Sequence, residues 1–416
     1  RSRSPSPSPA SLRLTLNRSR SRSRSPPPRT HAHNAAMAEG LDLKGKWRVG
    51  ARLGAGACAE VYEAEPLWAG LNSIHVRTAD PNASYVVKLA KLGPPRRSKK
   101  AKPSEQERLA NLLFAEHLAY VNVLNRCDAM PSEGPFGYGD AHGYRFLVIT
   151  RLGVPLDAEL ASAAPMPPAR VGALGRQLLD GLSHLHGKGY VYVDVKPENI
   201  MLGRWEGGAV VDPDEARLVD FGLMAKFVTY RGQHREAGGG VPPPGTPRFC
   251  SLEMHVNGTT PCRRDDLEAL GYILVACASG GRLPWDDDMD SEEALIRAKE
   301  DAGDGPALCA AAGLPTALAA ALGAYIDGCR ALGHADKPDY DALRSALDAV
   351  TAVRGGVMAA PKAKGGKAKA KAPAKKKKAA KAAAAEVEEA APAKRRARGG
   401  ARRGRTAAAA DDDDDD

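Results

Sequence analysis

Cysteine is sparse and unpatterned in this 416-residue chain: Cys58, Cys127, Cys250, Cys262, Cys277, Cys309 and Cys329 form no Cys-x-x-Cys pair. An odd, scattered set argues against a disulfide framework and against a zinc site, and it suits a reducing compartment. Long apolar runs are missing as well. Nothing approaches the roughly eighteen residues of a membrane span, and the longest candidate, Leu270 to Ala278, reads as a buried helix. No membrane association and no signal peptide are expected. Acidic residues are absent from the first thirty positions, which are a mixture of Arg, Ser and Pro.

Beyond about residue 355 the chain is mostly Lys, Ala, Arg and Gly. Neither end carries enough apolar surface to offset chain entropy, so both are expected to be disordered. Folding is expected of roughly residues 41–352. The charge is divided in the same way. Formal net charge is +10, from 60 basic and 50 acidic residues. Eight arginines lie in residues 1–30, and seventeen Lys plus Arg against nine acids lie in residues 361–416. The middle of the chain therefore holds 35 basic and 41 acidic residues and is mildly acidic. Any binding of polyanions should belong to the tails and be strongly salt-dependent.

The segment Tyr192-Val193-Asp194-Val195-Lys196-Pro197-Glu198-Asn199, followed about twenty residues later by Asp220-Phe221-Gly222, reads as a phosphoryl-transfer site. A hydroxyl attacking the terminal phosphate of ATP needs a carboxylate to orient it and take its proton. Two more groups must hold magnesium against the phosphate oxygens. Asp194, Asn199 and Asp220 supply that set.

Upstream, Gly54-Ala55-Gly56-Ala57-Cys58-Ala59 also fits the Gly-x-Gly-x-x-Ala of a dinucleotide-binding turn. A dinucleotide turn opens a helix, whereas Val61-Tyr62-Glu63-Ala64-Glu65 alternates apolar with polar and continues as a strand. A strand-turn-strand loop that covers ATP phosphates is the expectation, with Gly54, Gly56 and Val61 as its candidate binding residues; a plain hairpin is the alternative. Tyr85-Val86-Val87-Lys88-Leu89 is a β-branched run carrying one lysine, which is costly inside an apolar strand unless paired. Glu116 is the candidate partner, because Leu109, Leu112, Leu113 and Ala119 or Tyr120 recur around it at helical spacing. Tyr144 to Gly153 reads as a buried strand running into a connector. Adenine would meet backbone there, at Thr150 and Leu152, with Ile149 behind. Arg170 to His186 carries Leu174, Leu178, Leu182 and Leu185 at helical spacing, and His184 and His186 read as ordinary helix-end residues.

Further strings extend the pattern: Leu218-Val219-Asp220-Phe221-Gly222-Leu223, Gly245-Thr246-Pro247-Arg248-Phe249, Arg263-Arg264-Asp265-Asp266-Leu267-Glu268, Leu283-Pro284-Trp285 and Lys337-Pro338-Asp339-Tyr340. With them the chain resembles eukaryotic protein kinases of the casein-kinase group, and within it the vaccinia-related kinase branch. Two long insertions favour that branch: the hairpin between Asn199 and Asp220, and the activation segment Tyr230 to Pro244.

The resemblance implies an α+β, bilobal fold: a disordered segment 1–40, a β-rich N-lobe 41–152, a mainly helical C-lobe 153–352 and a basic tail 353–416. It implies ATP and Mg2+ as cofactors. Asp194 would act as base, Lys196 would neutralise the transferring phosphate, Asn199 and Asp220 would hold metal, and Lys88 with Glu116 would hold the α- and β-phosphates. Asp266 would brace the catalytic loop, and Thr246 would help place Asp194 and favour Ser/Thr substrates. Many kinases have an Arg just before the catalytic Asp that demands a phosphate on the activation segment; Val193 stands there instead, so phosphorylation-independent activity is expected.

Lys375–Lys378 and Lys394-Arg395-Arg396-Ala397-Arg398 read as nuclear import signals, and the Lys-Ala-Pro runs resemble linker-histone tails. The expected partners are Ser/Thr proteins and, through the tail, nucleic acid or nucleosomes; the expected state is a monomer in the nucleus. A casein-kinase-type enzyme acting on acidic substrates and a pseudokinase scaffold with a DNA-binding tail are the alternatives. Met37 is a plausible start, with the Arg-Ser dipeptides before it either leader sequence or phosphorylatable.

Overall fold

The computed structural model describes residues 38–354, apart from residue 57 and residues 68–82, 95–101, 125–126, 128–129, 131–133 and 240–243. The expectations for Met37, for most of both tails and for part of the activation segment lie outside the described residues.

The first lobe is a six-stranded antiparallel sheet of β1 (Asp42–Leu43), β2 (Trp47–Ala55), β3 (Glu60–Pro66), β4 (Tyr85–Lys91), β5 (Gly137–Ala141) and β6 (Tyr144–Thr150), in the order β1-β2-β3-β4-β6-β5. Alternation gives each face its work. Tyr85, Val87 and Leu89 of β4 join Trp47, Val49, Tyr62, Phe146 and Val148 in one apolar cluster, while Val86 and Ala90 turn to the other face with Leu147 and Ile149. Lys88 shares the second face by its position in the strand. That face is covered by helix α1 (Glu105–Asn122), which starts where the Ser104 hydroxyl accepts a hydrogen bond from the Glu107 amide and two acids follow in the first turn. Ala38, counted from sequence with the tail, is buried in the sheet's outer cluster.

The second lobe is helical: α2 (Leu156–Leu160), α3 (Pro168–Gly187), α4 (Leu252–Asn257), α5 (Arg263–Ser279), α6 (Glu292–Asp301), α7 (Gly305–Ala311), α8 (Thr316–Arg330) and α9 (Tyr340–Ala352). The expected core helix before the catalytic loop is α3, with Leu174, Leu178, Leu182 and Leu185 all buried. Helix α5 is buried on nearly every side and stops at Gly280, whose φ of +75° needs glycine; a Cβ there would also sit 2.5 Å from the Ala163 carbonyl oxygen. The Lys-Pro-Asp-Tyr string has a structural purpose too: Asp339 caps α9 by accepting from the amides of Asp341 and Ala342.

Between the lobes, the buried strand from Tyr144 ends at Thr150, and the expected connector begins at Arg151. β7 (Leu152–Pro155) pairs with β9 (Ile200–Glu206) rather than with the first sheet, so Leu152 is already bonded to the second lobe. β9 and β10 (Ala209–Leu218) form the long hairpin expected between Asn199 and Asp220, bulged between Val211 and Ala216. A short pair, β8 (Tyr190–Val191) and β11 (Ala225–Lys226), brackets the catalytic loop.

Candidate active site

The loop from Tyr192 to Asn199 is suspended from α5. The buried Asp266 carboxylate accepts from the Tyr192 amide at 2.6 Å, the Val193 amide at 2.8 Å and His186 Nε2 at 2.9 Å. His186 Nδ1 in turn lies 2.7 Å from the Tyr340 hydroxyl. Val193 has φ +78°, a conformation that costs a β-branched residue roughly 1–3 kcal/mol, and the bond to Asp266 holds it there. The Tyr192 hydroxyl donates to the Val219 carbonyl, and its ring meets Phe221 edge-on at 5.6 Å, which ties this loop to the one carrying Asp220.

Asp194 is surrounded by donors. Thr246 Oγ1 donates to its Oδ1 at 3.0 Å, Lys196 Nζ donates to its Oδ2, and Asn199 Nδ2 reaches its backbone oxygen at 3.0 Å and its Oδ2 at 3.3 Å. Gly245 permits the approach of the Thr246 loop: its φ is +90°, and a Cβ would sit 3.2 Å from Asp194 Oδ1. Burial disfavours the Lys196 ammonium, but the Asp194 and Asp220 carboxylates outweigh it and raise its pKa. The lysine therefore remains a cation.

Lys88 and Glu116 form the expected pair, Nζ to Oε1 2.6 Å, with Glu116 completely enclosed. Burial alone would lower the Lys88 pKa; the Glu116 and Asp220 carboxylates reverse that and raise it. Burial pushes the Glu116 carboxyl up to about 7, against the opposing pull of Lys88. Asp220 has φ +65°, in the left-handed region, and its carboxylate acts on both Lys88 and Lys196. The two halves of the site, one from each lobe, thus meet at Asp220.

The glycine loop is a hairpin and not the start of a helix: Gly54 pairs with Val61, Ala55 with Glu60, and the Gly56 amide donates to the Ala59 carbonyl at 2.8 Å. A Cβ at Gly54 would meet nothing within 4 Å, so internal packing does not require glycine there. Val61 packs against the core beneath this loop. Thr150 ends β6 opposite Tyr85, and Leu152 begins β7 opposite Arg204. Arg151 between them bonds Glu63 at 2.8 Å and stacks on Trp205 with its guanidinium carbon 3.9 Å from the ring centre, joining the two lobes.

Several contributors were missed from sequence. His186 is no ordinary helix-end residue but part of the Asp266 brace, and His184 Nε2 bonds the Val123 carbonyl at 3.0 Å. Glu268, buried in α5, accepts from Arg330 at 2.9 Å. Its place in the Asp-Asp-Leu-Glu string was the available signal; nothing nearby in sequence points to Arg330.

The protein kinase domain family matches residues 47–302, more than half of the chain, and the chain belongs to that family. It is 29% identical over 325 residues to nucleosomal histone kinase 1 of Drosophila melanogaster, covering 73% of this chain and 47% of that protein. It is 34% identical over 215 residues to the B1 kinase of vaccinia virus (strain Copenhagen), covering 49% of this chain and 66% of that protein. It is 25% identical over 321 residues to the serine/threonine-protein kinase VRK2 of Homo sapiens, covering 74% and 58%. The chain thus spans about half to two thirds of the length of these relatives, which agree with the vaccinia-related branch of the casein-kinase group indicated by its motifs.

Proposed function

We propose that this chain is an ATP-dependent kinase that phosphorylates serine or threonine hydroxyls of proteins. The observation that carries the reading is the meeting of Asp194, Lys196 and Asn199 from one loop with Asp220 and the Lys88–Glu116 pair. The donor chemistry fits the cofactor. Among the described residues no group of three or more His, Cys, Asp or Glu is placed to hold a metal, and an Asn–Asp oxygen pair suits Mg2+ that arrives with phosphate oxygens. Asn199 and Asp220 would hold that ion, Lys88 the inner phosphates, and the turn carrying Gly54 and Gly56 would lie over them. The bound nucleotide would supply the transferable phosphoryl group, and the ion would neutralise charge on its oxygens.

The chain's own residues do the rest. Asp194, fixed by Thr246 and Asn199, orients the protein hydroxyl and accepts its proton. Lys196 opposes negative charge gathering beside Asp194. Positioning and electrostatic groups of this kind carry phosphoryl transfer almost entirely. Thr150 and Leu152 offer backbone groups to the adenine ring at the connector.

For substrates, we infer nuclear, nucleosome-associated proteins, and a kinase that acts as a monomer. What supports this is the similarity to a protein named as a nucleosomal histone kinase, together with the tail's seventeen basic residues, which neutralise phosphates whatever the sequence. Tethering raises the local concentration of substrate without any new contact at the active site. The test is magnesium-dependent transfer of labelled phosphate to nucleosomes and to a short peptide, by the full chain and by a chain lacking residues 355–416. The reading predicts serine and threonine labelling, with a much larger loss on nucleosomes than on peptide when the tail is removed. Absence of transfer by the full chain would sink the kinase reading; equal losses would sink the tethering.

A further inference from the structure

Lys299 of α6 is completely buried, and among the described residues no carboxylate forms an ion pair with it. An isolated ammonium in that position is expensive unless every proton is used. They are used in an unusual way. Nζ donates to the Pro247 carbonyl at 2.8 Å, to the Cys250 carbonyl at 2.6 Å and to His255 Nδ1 at 3.3 Å, and it lies 5.2 Å and 5.5 Å from the ring centres of Trp285 and Tyr272. The two carbonyls bracket the segment Pro247–Cys250. Directly before it, Thr246 donates to Asp194, and within it the Arg248 carbonyl accepts from Trp285 Nε1 at 2.9 Å.

We propose that Lys299 is a positioning residue: its ammonium clamps the Thr246–Cys250 segment from the protein interior, and so sets both Thr246 against Asp194 and the surface on which the protein substrate lies. This rests on the kinase reading above and deepens it. Phosphorylated activation segments are fixed from outside by an arginine and a phosphate. Here the corresponding order comes from a buried cation gripping main-chain carbonyls, which needs no modification and accords with Val193 in place of that arginine.

The test compares the wild-type chain with Lys299→Met, a length-matched apolar replacement, and Lys299→Gln, which keeps one amide donor. The Met variant is expected to raise peptide KM roughly ten- to a hundredfold while the KM for ATP stays within about twofold, and the Gln variant to recover part of the loss. Burial lowers the Lys299 pKa to about 8, so the wild-type peptide KM should climb above that pH and that of the Met variant should not. The other titratable or charged groups around it are His255, the Cys250 thiol, Tyr272, Glu268 and Arg330. Hydrogen exchange supplies a readout independent of activity: the Phe249 and Cys250 amides should exchange faster in the Met variant, with α5 unchanged. A wild-type chain that transfers no phosphate would end the kinase reading, and exchange would still decide this one. Unaltered exchange at residues 246–250, or a KM for ATP that rises in step with peptide KM, would overturn the clamp. Should the Met variant not fold, the Gln variant decides by the same exchange measurement.

Discussion

Replacing Asp266 with Asn changes one atom type and should cost this protein a large share of its stability. The carboxylate is 2% exposed and accepts three hydrogen bonds, from two backbone amides and His186. Asn keeps one acceptor oxygen and turns an amide N–H toward a donor that cannot accept it. Each bond to a charged group contributes about 1.5–3 kcal/mol, and stripping a buried charge from its partners costs about 3–5 kcal/mol. For a domain of this size, roughly 2 °C per kcal/mol gives a fall in Tm of about 6–10 °C. Tyr340→Phe removes only the outer bond to His186 and should cost about 1 kcal/mol. Thermal unfolding of the three proteins, with phosphotransfer measured at a temperature where all are folded, separates stability from function. Activity of Asp266→Asn should fall even when it is folded, because the Tyr192 and Val193 amides set the position of Asp194. A Tm within 2 °C of wild type and unchanged kcat would refute the brace.

Three more outcomes are expected. Lys88→Met strips the enclosed Glu116 of its partner; the carboxyl then takes up a proton near neutral pH, and kcat/KM for ATP should drop by roughly 10²-fold or more, whereas unchanged ATP affinity and rate would count against the pair. Burial, with Lys299 beside it, pulls the His255 imidazole down to about 3 from 6.5. The unfolded chain therefore binds the extra proton first, and stability should decline as pH drops from about 6.5 toward 3, by on the order of 3 kcal/mol at pH 4; denaturant titrations should give His255→Gln a flatter dependence, and identical slopes would exclude this contribution. Phosphatase treatment of the purified chain should leave its activity intact, because Val193 presents no arginine that needs a phosphate; abolished activity would contradict that reading.

The local chemistry of the site was legible because its members are spaced by short, rigid connections. Asp194 and Asn199 are five residues apart within one loop, and Asp220 follows at the far end of a hairpin, so sequence order carried the geometry. Lys88 and Glu116 were legible for another reason: each is a charge placed in an apolar period, and such charges need partners. What stayed hidden depends on contacts between distant segments. Nothing in the local pattern links His186 to Asp266 and Tyr340, or Lys299 to the carbonyls of Pro247 and Cys250. Lys299 looks like any helix lysine, flanked by Ala298 and Glu300, and only the packing of Trp285 and Tyr272 over it reveals an interior position. At the connector the end of the apolar run at Thr150 was legible, but nothing in the sequence shows that Leu152, just beyond it, pairs with Arg204 in a different sheet.

The central claim is that Asp194, Asn199, Asp220 and Lys88 act together on one nucleotide. Asp194→Asn tests it most directly, with ATP binding and phosphate transfer measured on the same preparation. The account predicts ATP affinity close to wild type and a turnover reduced on the order of 10²–10⁴-fold. Equal turnover in the two proteins would contradict it.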